Sequence, residues 1–410
     1  MKNKRGLNKH YGQKHLRAFC VLRSFFFLCI FCIVSIVNAN DFGIIIDQTV
    51  SYGGIEENSI EYSGKIIPRY QALLGDRGEL YISAGFECEY IYENWRFIPE
   101  LLRTELSFQF DKADLTAGRM YYSDPLGFIA SGLFDGARLT ILSDFGSFSV
   151  GAWYTGFLYK ERINIVMTQD DLASFITELD FNNFYSTYFA PKRLIAAFDF
   201  EHLDLDSLQS RLAAIAQFDL TGNLNSQYIA IKLTKAVGLV SIDMGACAEF
   251  ILDGKEFGFA WAGVFGIQAF LGKSGLLFSG RFSGANFNDS PVSAFLPITT
   301  IAMGEILDAK LSGISCITAE YSYMLSRTLT ASAGSTYFIL SDNETFLGYP
   351  VTEDNTGYFL GPEFSARIIW SPFSDLNINL KGGVFLPSLG NAAPDAGIKW
   401  RIELNVIFGL

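Results

Sequence analysis

The sequence predicts an all-β protein, a closed antiparallel transmembrane β-barrel of about 18 strands. Three observations predict it. Residues 400–410 alternate without a break: Trp400, Ile402, Leu404, Val406, Phe408 and Leu410 share one face, and Arg401, Glu403 and Asn405 share the other. The same alternation recurs along most of the chain. The connections between alternating segments fall into two sets, short turns and long loops, which occur by turns along the chain.

Taken in order, the chain opens with a secretory signal. Lys2, Lys4, Arg5, Lys9, Lys14, Arg17 and Arg23 form a basic region, residues 24–37 an apolar core, and Val37-Asn38-Ala39 a small-residue cleavage site. Residues 1–39 are therefore expected to leave, and residues 40–410 to form the barrel. All seven basic residues leave with the signal and no acid does, so the remainder carries 24 Lys+Arg against 43 Asp+Glu, a net charge of about −19. That excludes nucleic-acid binding, which needs a basic footprint. Cys88, Cys247 and Cys316 remain, an odd number that rules out a disulfide framework. Cys88 and Cys247 are expected on the apolar, lipid-facing side. The longest uncharged stretch, 257–272, is too short and too rich in glycine for a spanning helix of ~20 apolar residues.

Strands are expected at 42–52, 60–70, 79–92, 101–111, 114–122, 135–143, 148–159, 193–202, 208–219, 227–235, 240–251, 257–271, 276–284, 310–323, 328–340, 357–370, 376–386 and 398–410. Most approach the ~9–11 residues that a tilted spanning strand needs. Segment 60–70 is the weakest, because Pro68 cannot donate to a ladder. Every second connector is short: 75–78, 111–114, 144–147, 203–207, 236–239, 272–275, 324–327 and 371–375. The alternate set holds the long ones: 123–134, 160–192, 285–309, 341–356 and 387–397. Outer-membrane barrels have short periplasmic turns and long outer loops.

The long loop 160–192 carries the one helix, over 171–179. Thr168 with Asp171 makes a capping-box start, and Leu172, Phe175, Ile176 and Leu179 recur at helical spacing. This loop either folds inward as a constriction, bringing Asp170, Asp171, Glu178 and Asp180 into the path, or packs outside on its neighbours.

The polar face of the strands collects charge. The expected pore-lining residues are Glu87, Glu89, Arg103, Glu105, Asp111, Arg119, Arg138, Asp243, Arg281, Glu363, Arg367, Arg401 and Glu403. Arg211, Lys232 and Lys381 add bases on that face, and Asp199, Glu201, Asp219, Glu249 and Glu320 add acids. Acids outnumber bases there, which implies a mild cation preference. The same charges, paired across neighbouring strands, also brace the wall. Catalysis finds little footing. His202 is the single histidine after residue 39, and no nucleophile is picked out beside it. One histidine and three scattered cysteines do not make a zinc site, and no phosphate-binding loop is present, so no cofactor is expected.

Leu115-Thr116-Ala117-Gly118-Arg119-Met120, followed by Phe134-Asp135-Gly136-Ala137-Arg138-Leu139, resembles the strand–loop–strand core of alginate-export-type outer-membrane channels. The resemblance implies an eighteen-strand barrel with lumen arginines at Arg119 and Arg138. A bulge at Gly118 would be needed to bring Arg119 into phase with the lumen. The chain departs from that family in having more acids than bases on the lumen face, so the polyanionic substrate does not carry over.

These readings point to an outer-membrane barrel of a diderm bacterium that passes small hydrophilic solutes by diffusion. Its expected partners are outer-membrane lipid, those solutes and the barrel assembly machinery, reached through the C-terminal strand. A surface adhesin or structural barrel sealed by its loops is the alternative, and a barrel hydrolase using His202 the third.

Overall fold

The computed structural model describes residues 40–55, 58–91, 93–205, 208–284, 294–310, 312–341 and 357–410. The signal segment 1–39 and the loop 342–356 lie outside the described residues. Eighteen antiparallel strands form one closed sheet. They are β1 (Asn40–Gly54), β2 (Asn58–Leu74), β3 (Gly78–Ile91), β4 (Asn94–Gln109), β5 (Ala113–Ser123), β6 (Ser131–Ser143), β7 (Gly146–Tyr154), β8 (Arg193–Leu205), β9 (Leu208–Asp219), β10 (Leu224–Val237), β11 (Val240–Asp253), β12 (Glu256–Leu271), β13 (Ser274–Ser283), β14 (Ile314–Ser326), β15 (Leu329–Leu340), β16 (Phe359–Phe373), β17 (Leu376–Phe385) and β18 (Lys399–Gly409). β18 closes the barrel on β1, from Ile45 opposite Gly409 to Gly54 opposite Trp400. Closure leaves neither the first nor the last strand as a free edge in lipid.

Each expected segment corresponds to one strand, and the departures have physical causes. β4 begins seven residues before the expected 101, because the register shifts between Ser83 and Ala84 and breaks the alternation there. β7 ends at Tyr154, not 159, where the chain leaves the wall. Short turns join the strands at one end. Gly238 and Gly272 take φ of +61° and +65° in two-residue hairpins, a conformation that glycine adopts without strain.

The outward faces expose Val50, Ile60, Ile229, Met244, Trp261 and Ile402. Toward the long-loop end, Tyr52 stacks edge-on against Trp400 (ring centroids 5.2 Å apart), and Trp95 contacts Tyr62 and Tyr90 at 6.0 and 5.1 Å. Such an aromatic row marks the membrane interface.

The buried core lies inside the barrel. Inward side chains Ile195, Ala197, Ala213, Ile215, Tyr228, Ala230, Cys247 and Ala260 pack against three loop segments that fold into the lumen: 124–130, 158–167 and 294–309. The segments are knitted together. Ile298 N–H and Thr299 N–H donate to the Ile129 carbonyl, and Thr300 N–H donates to that of Asn164. Cys247 corrects the expectation: it shares the parity of Asp243 and Glu249, so it is buried in this core and does not face lipid.

Loop 155–192 holds three short helices, α1 (Lys160–Ile163), α2 (Gln169–Ile176) and α3 (Phe184–Thr187). α2 covers most of the expected helix. Its capping box is formed: Thr168 Oγ1 accepts from Asp171 N–H, and the Asp171 carboxylate accepts from Thr168 N–H.

Candidate functional site: the lumen and its inward segments

Wall residues moor the inward segments. The Glu363 carboxylate, on β16, accepts the backbone N–H groups of Glu305, Ile306 and Leu307 at 2.6–2.9 Å. Glu249, on β11, accepts Leu296 N–H at 2.8 Å, while Tyr228 O–H donates to the Leu296 carbonyl at 2.7 Å. At the end of β5, buried Asp124 accepts the N–H groups of Leu126, Gly127, Ile129 and Ala130, which turns the chain inward. Burial raises the Asp124 pKa, against the pull of those four bonds.

The loop 155–192 folds inward onto the neighbouring wall of β3 and β4. Arg162 of α1 pairs with Glu87 at 2.8 Å and Glu100 at 3.1 Å, and Glu161 meets Arg96 at 3.2 Å. Lys65 joins Glu87 at 2.7 Å, and Arg96 joins Glu89 at 2.8 Å. Lys160 is buried, and its ammonium donates to the Ser174 and Thr177 carbonyls at the end of α2. Burial holds its pKa below the usual lysine range.

A polar part of the lumen runs along β13–β18. A cavity of about 240 Å³ there is lined by Arg281, Glu305, Glu320, Arg367, Lys381, Arg401 and Glu403, among small hydroxyl and glycine residues. Its charges alternate as a ladder. Glu305, on an inward segment, takes both Arg367 and Lys381; Lys381 and Arg401 each reach Glu403 at 3.1 Å; Arg401 reaches Glu61 at 3.7 Å. A second cavity of about 210 Å³ holds Tyr122, Arg138, Asp199, Glu201 and Arg211. Both are polar and hold nearly equal numbers of acids and bases, which suits water and small hydrophilic solutes more than apolar ones.

The expected site residues divide into groups. Arg281, Arg367, Arg401 and Glu403 line the larger cavity, and Arg138 lines the smaller. Arg103 lies over the Tyr81 ring and pairs with Glu105 at 2.6 Å. Asp243 accepts from Thr234 at 2.6 Å. Glu87 holds the loop 155–192 directly through Arg162, and Glu89 does so through Arg96. Glu363 is on the inner face but is spent as a mooring. Asp111 sits at a short turn, paired with Arg77 at 3.3 Å and largely exposed. Asp171 lies between its helix cap and Arg193, at 2.6 Å from a guanidinium that also holds Asp219 at 3.0 Å, so it does not line the path. Asp170, Glu178 and Asp180 are exposed on the same loop. Arg119 is a second correction. The β5–β6 register runs unshifted through Gly118, so Arg119 stays in phase with Leu115 and out of the lumen. It is 5% exposed and pairs within the wall with Asp135 at 2.8 Å. His202 has a ring nitrogen on the Phe145 carbonyl at a short turn.

Sequence reasoning missed Glu305, Arg162, Arg96 and Lys65. Glu305 and Arg162 belong to loops, where no period announces direction. Lys65 did carry a signal, the polar parity of β2.

No protein-family model and no curated protein matches the chain. The alginate-export resemblance is thus unsupported, although the strand number it implied is the one observed. Solved structures do match the fold. OccK5 (OpdH) of Pseudomonas aeruginosa superposes with a TM-score of 0.60 at 10% identity, over 91% of this chain and 98% of that one. OccAB4 of Acinetobacter baumannii gives 0.59 at 11% identity, over 91% and 98%. OpdK, an outer membrane protein of Pseudomonas aeruginosa, gives 0.56 at 10% identity, over 90% and 99%. The chain shares the fold of these barrels.

Proposed function

We propose that the protein is an outer-membrane channel through which small hydrophilic solutes diffuse, narrowed by its inward loop segments. The observation that carries this is the charged, polar lining of the cavity along β13–β18, beside the apolar plug of the inward segments. A barrel built only as a scaffold has no need for a charged ladder of Arg281, Glu305, Arg367, Lys381, Arg401 and Glu403 around a cavity. The apolar outer wall with its aromatic row supports lipid as the surrounding medium, and the shared fold with OpdK supports the outer membrane. The C-terminal strand β18 closes the barrel and is the natural element for assembly machinery to recognise.

The expected cation preference becomes weak in this reading. Glu249 and Glu363 are buried moorings, and Asp171 and Asp219 are consumed by Arg193, so these acids add little field in the path. The larger cavity holds four bases against three acids. Liposome swelling tests the channel reading. Liposomes carrying the protein should swell in isotonic solutions of small sugars and amino acids, and not in those of larger oligosaccharides. Absence of swelling with every solute, in liposomes that contain the folded barrel, would oppose it.

A further inference from the structure

The wall is not laddered throughout. Adjacent strands β4 and β5 pair only between Thr104–Gln109 and Asp114–Arg119. Residues 95–103 of β4 have no ladder partner in β5, although β5 continues to Ser123. Trp95 belongs to the aromatic row that marks the interface, so the unpaired stretch through Phe97, Pro99 and Leu101 lies at membrane depth. Backbone groups at that depth need partners. Side chains supply them. Arg119 donates to the Leu101 carbonyl at 2.5 Å and to that of Phe157 at 2.9 Å, while its ion pair with Asp135 fixes it in the gap. Tyr188 O–H donates to the Pro99 carbonyl at 2.7 Å. Pro99 itself has no N–H to satisfy, which suits an edge. Behind the gap, Tyr159 and Tyr188 pack on Ile98, which is 1% exposed.

A ladder opens only by breaking strand pairing. This closure is held by side chains and one loop, so their movement alone would open it. Its outer rim is apolar, with Phe97, Leu101, Tyr121 and Phe157 exposed, and its inner rim carries Arg96 and Arg162. We propose that the β4–β5 seam is a gated lateral port, through which an amphiphile with a polar head and an apolar tail passes between lumen and bilayer, with the Arg119–Asp135 pair as its latch. The tail would cross the apolar rim while the head stays with the inner charges.

The test places a reporter thiol behind the seam, Ile98→Cys, in a full chain whose lipid-facing Cys88 is replaced by Ser. The barrel in liposomes is treated with N-hexadecylmaleimide, itself an amphiphile confined to the bilayer, or with a sulfonated water-soluble maleimide. Adding Arg119→Ala should speed labelling by the hexadecyl reagent about tenfold, the population change that loss of a charge-assisted bond brings. Labelling by the soluble reagent should stay unchanged. No acceleration in a variant that keeps heat-modifiable gel mobility would overturn the port. Equal acceleration with both reagents would also overturn it, because it would report a loosened loop. Should Arg119→Ala not fold, Tyr188→Phe removes only the bond to Pro99 and should still favour the hexadecyl reagent; an unchanged rate there would count against the port.

Discussion

Glu305 and Glu363 are neighbours in space and opposites in role. Glu363 is buried and gives its oxygens to three backbone N–H groups. Glu305 stays about one-third exposed and neutralises Arg367 and Lys381. Glu305→Gln should therefore leave stability within ~1 kcal/mol, as for a solvated pair. It should move the zero-current potential in a salt gradient toward anions, since two cations lose their shared partner. No movement would mean that the ladder lies off the ion path. Glu363→Ala should act differently. It strands three buried donors at an order of ~1–3 kcal/mol each, detaches the segment around residue 305 and makes single-channel current noisy, while the barrel remains heat-modifiable. A quiet current at the original level would show that the segment is held by its apolar contacts alone. Alternation in the sequence placed Glu363 on the inner face, but period says nothing about what a side chain meets there. Glu305 was illegible, because its loop has no period and its partners come from strands more than 60 residues away. Arg119 misled for a different reason: the resemblance required a bulge at Gly118 to turn it inward, yet the ladder with β6 passes through Gly118 unshifted, even with its φ of +111°.

At the scale of elements, all eighteen strands were legible because each carries its own two-residue period and its own turn residues. Helix α2 was legible from Thr168 and Asp171, a local cap that needs no tertiary information. The direction of the loops was not, since it depends on apolar residues on the inner parity of distant strands, such as Ile195, Ile215 and Ala260. Those residues break the polar-in pattern, and read together they foretell a plug. The consequence is a reassignment of the constriction. The α2 helix stands at the rim against Arg193, with Ile176 exposed, whereas the segment carrying Glu305 lies against the open cavity. Replacing 302–308 by a short flexible linker should raise single-channel conductance more than deleting 170–180 does. Both changes spare every wall strand, so both barrels should fold. A larger effect from 170–180 would return the constriction to the helix.

For the molecule as a whole, closure of β18 on β1 and burial of the inward segments make one cooperative unit. Phe408→Asp probes the closing strand. The residue is outward, in the register with Ile46, and near the short-turn end, where a charge on the lipid face costs about 0–1 kcal/mol. Refolding in detergent should therefore survive the change, while insertion in cells should fail if the strand is the assembly signal. Normal surface levels would remove that role.

Single-channel conductance of the purified chain in a planar bilayer tests the central claim most directly. The account predicts discrete, ohmic openings with a small permeability ratio between potassium and chloride, which rise in size when 302–308 is replaced. A folded, inserted barrel that passes no current, with or without that segment, would contradict it and leave a sealed scaffold in its place.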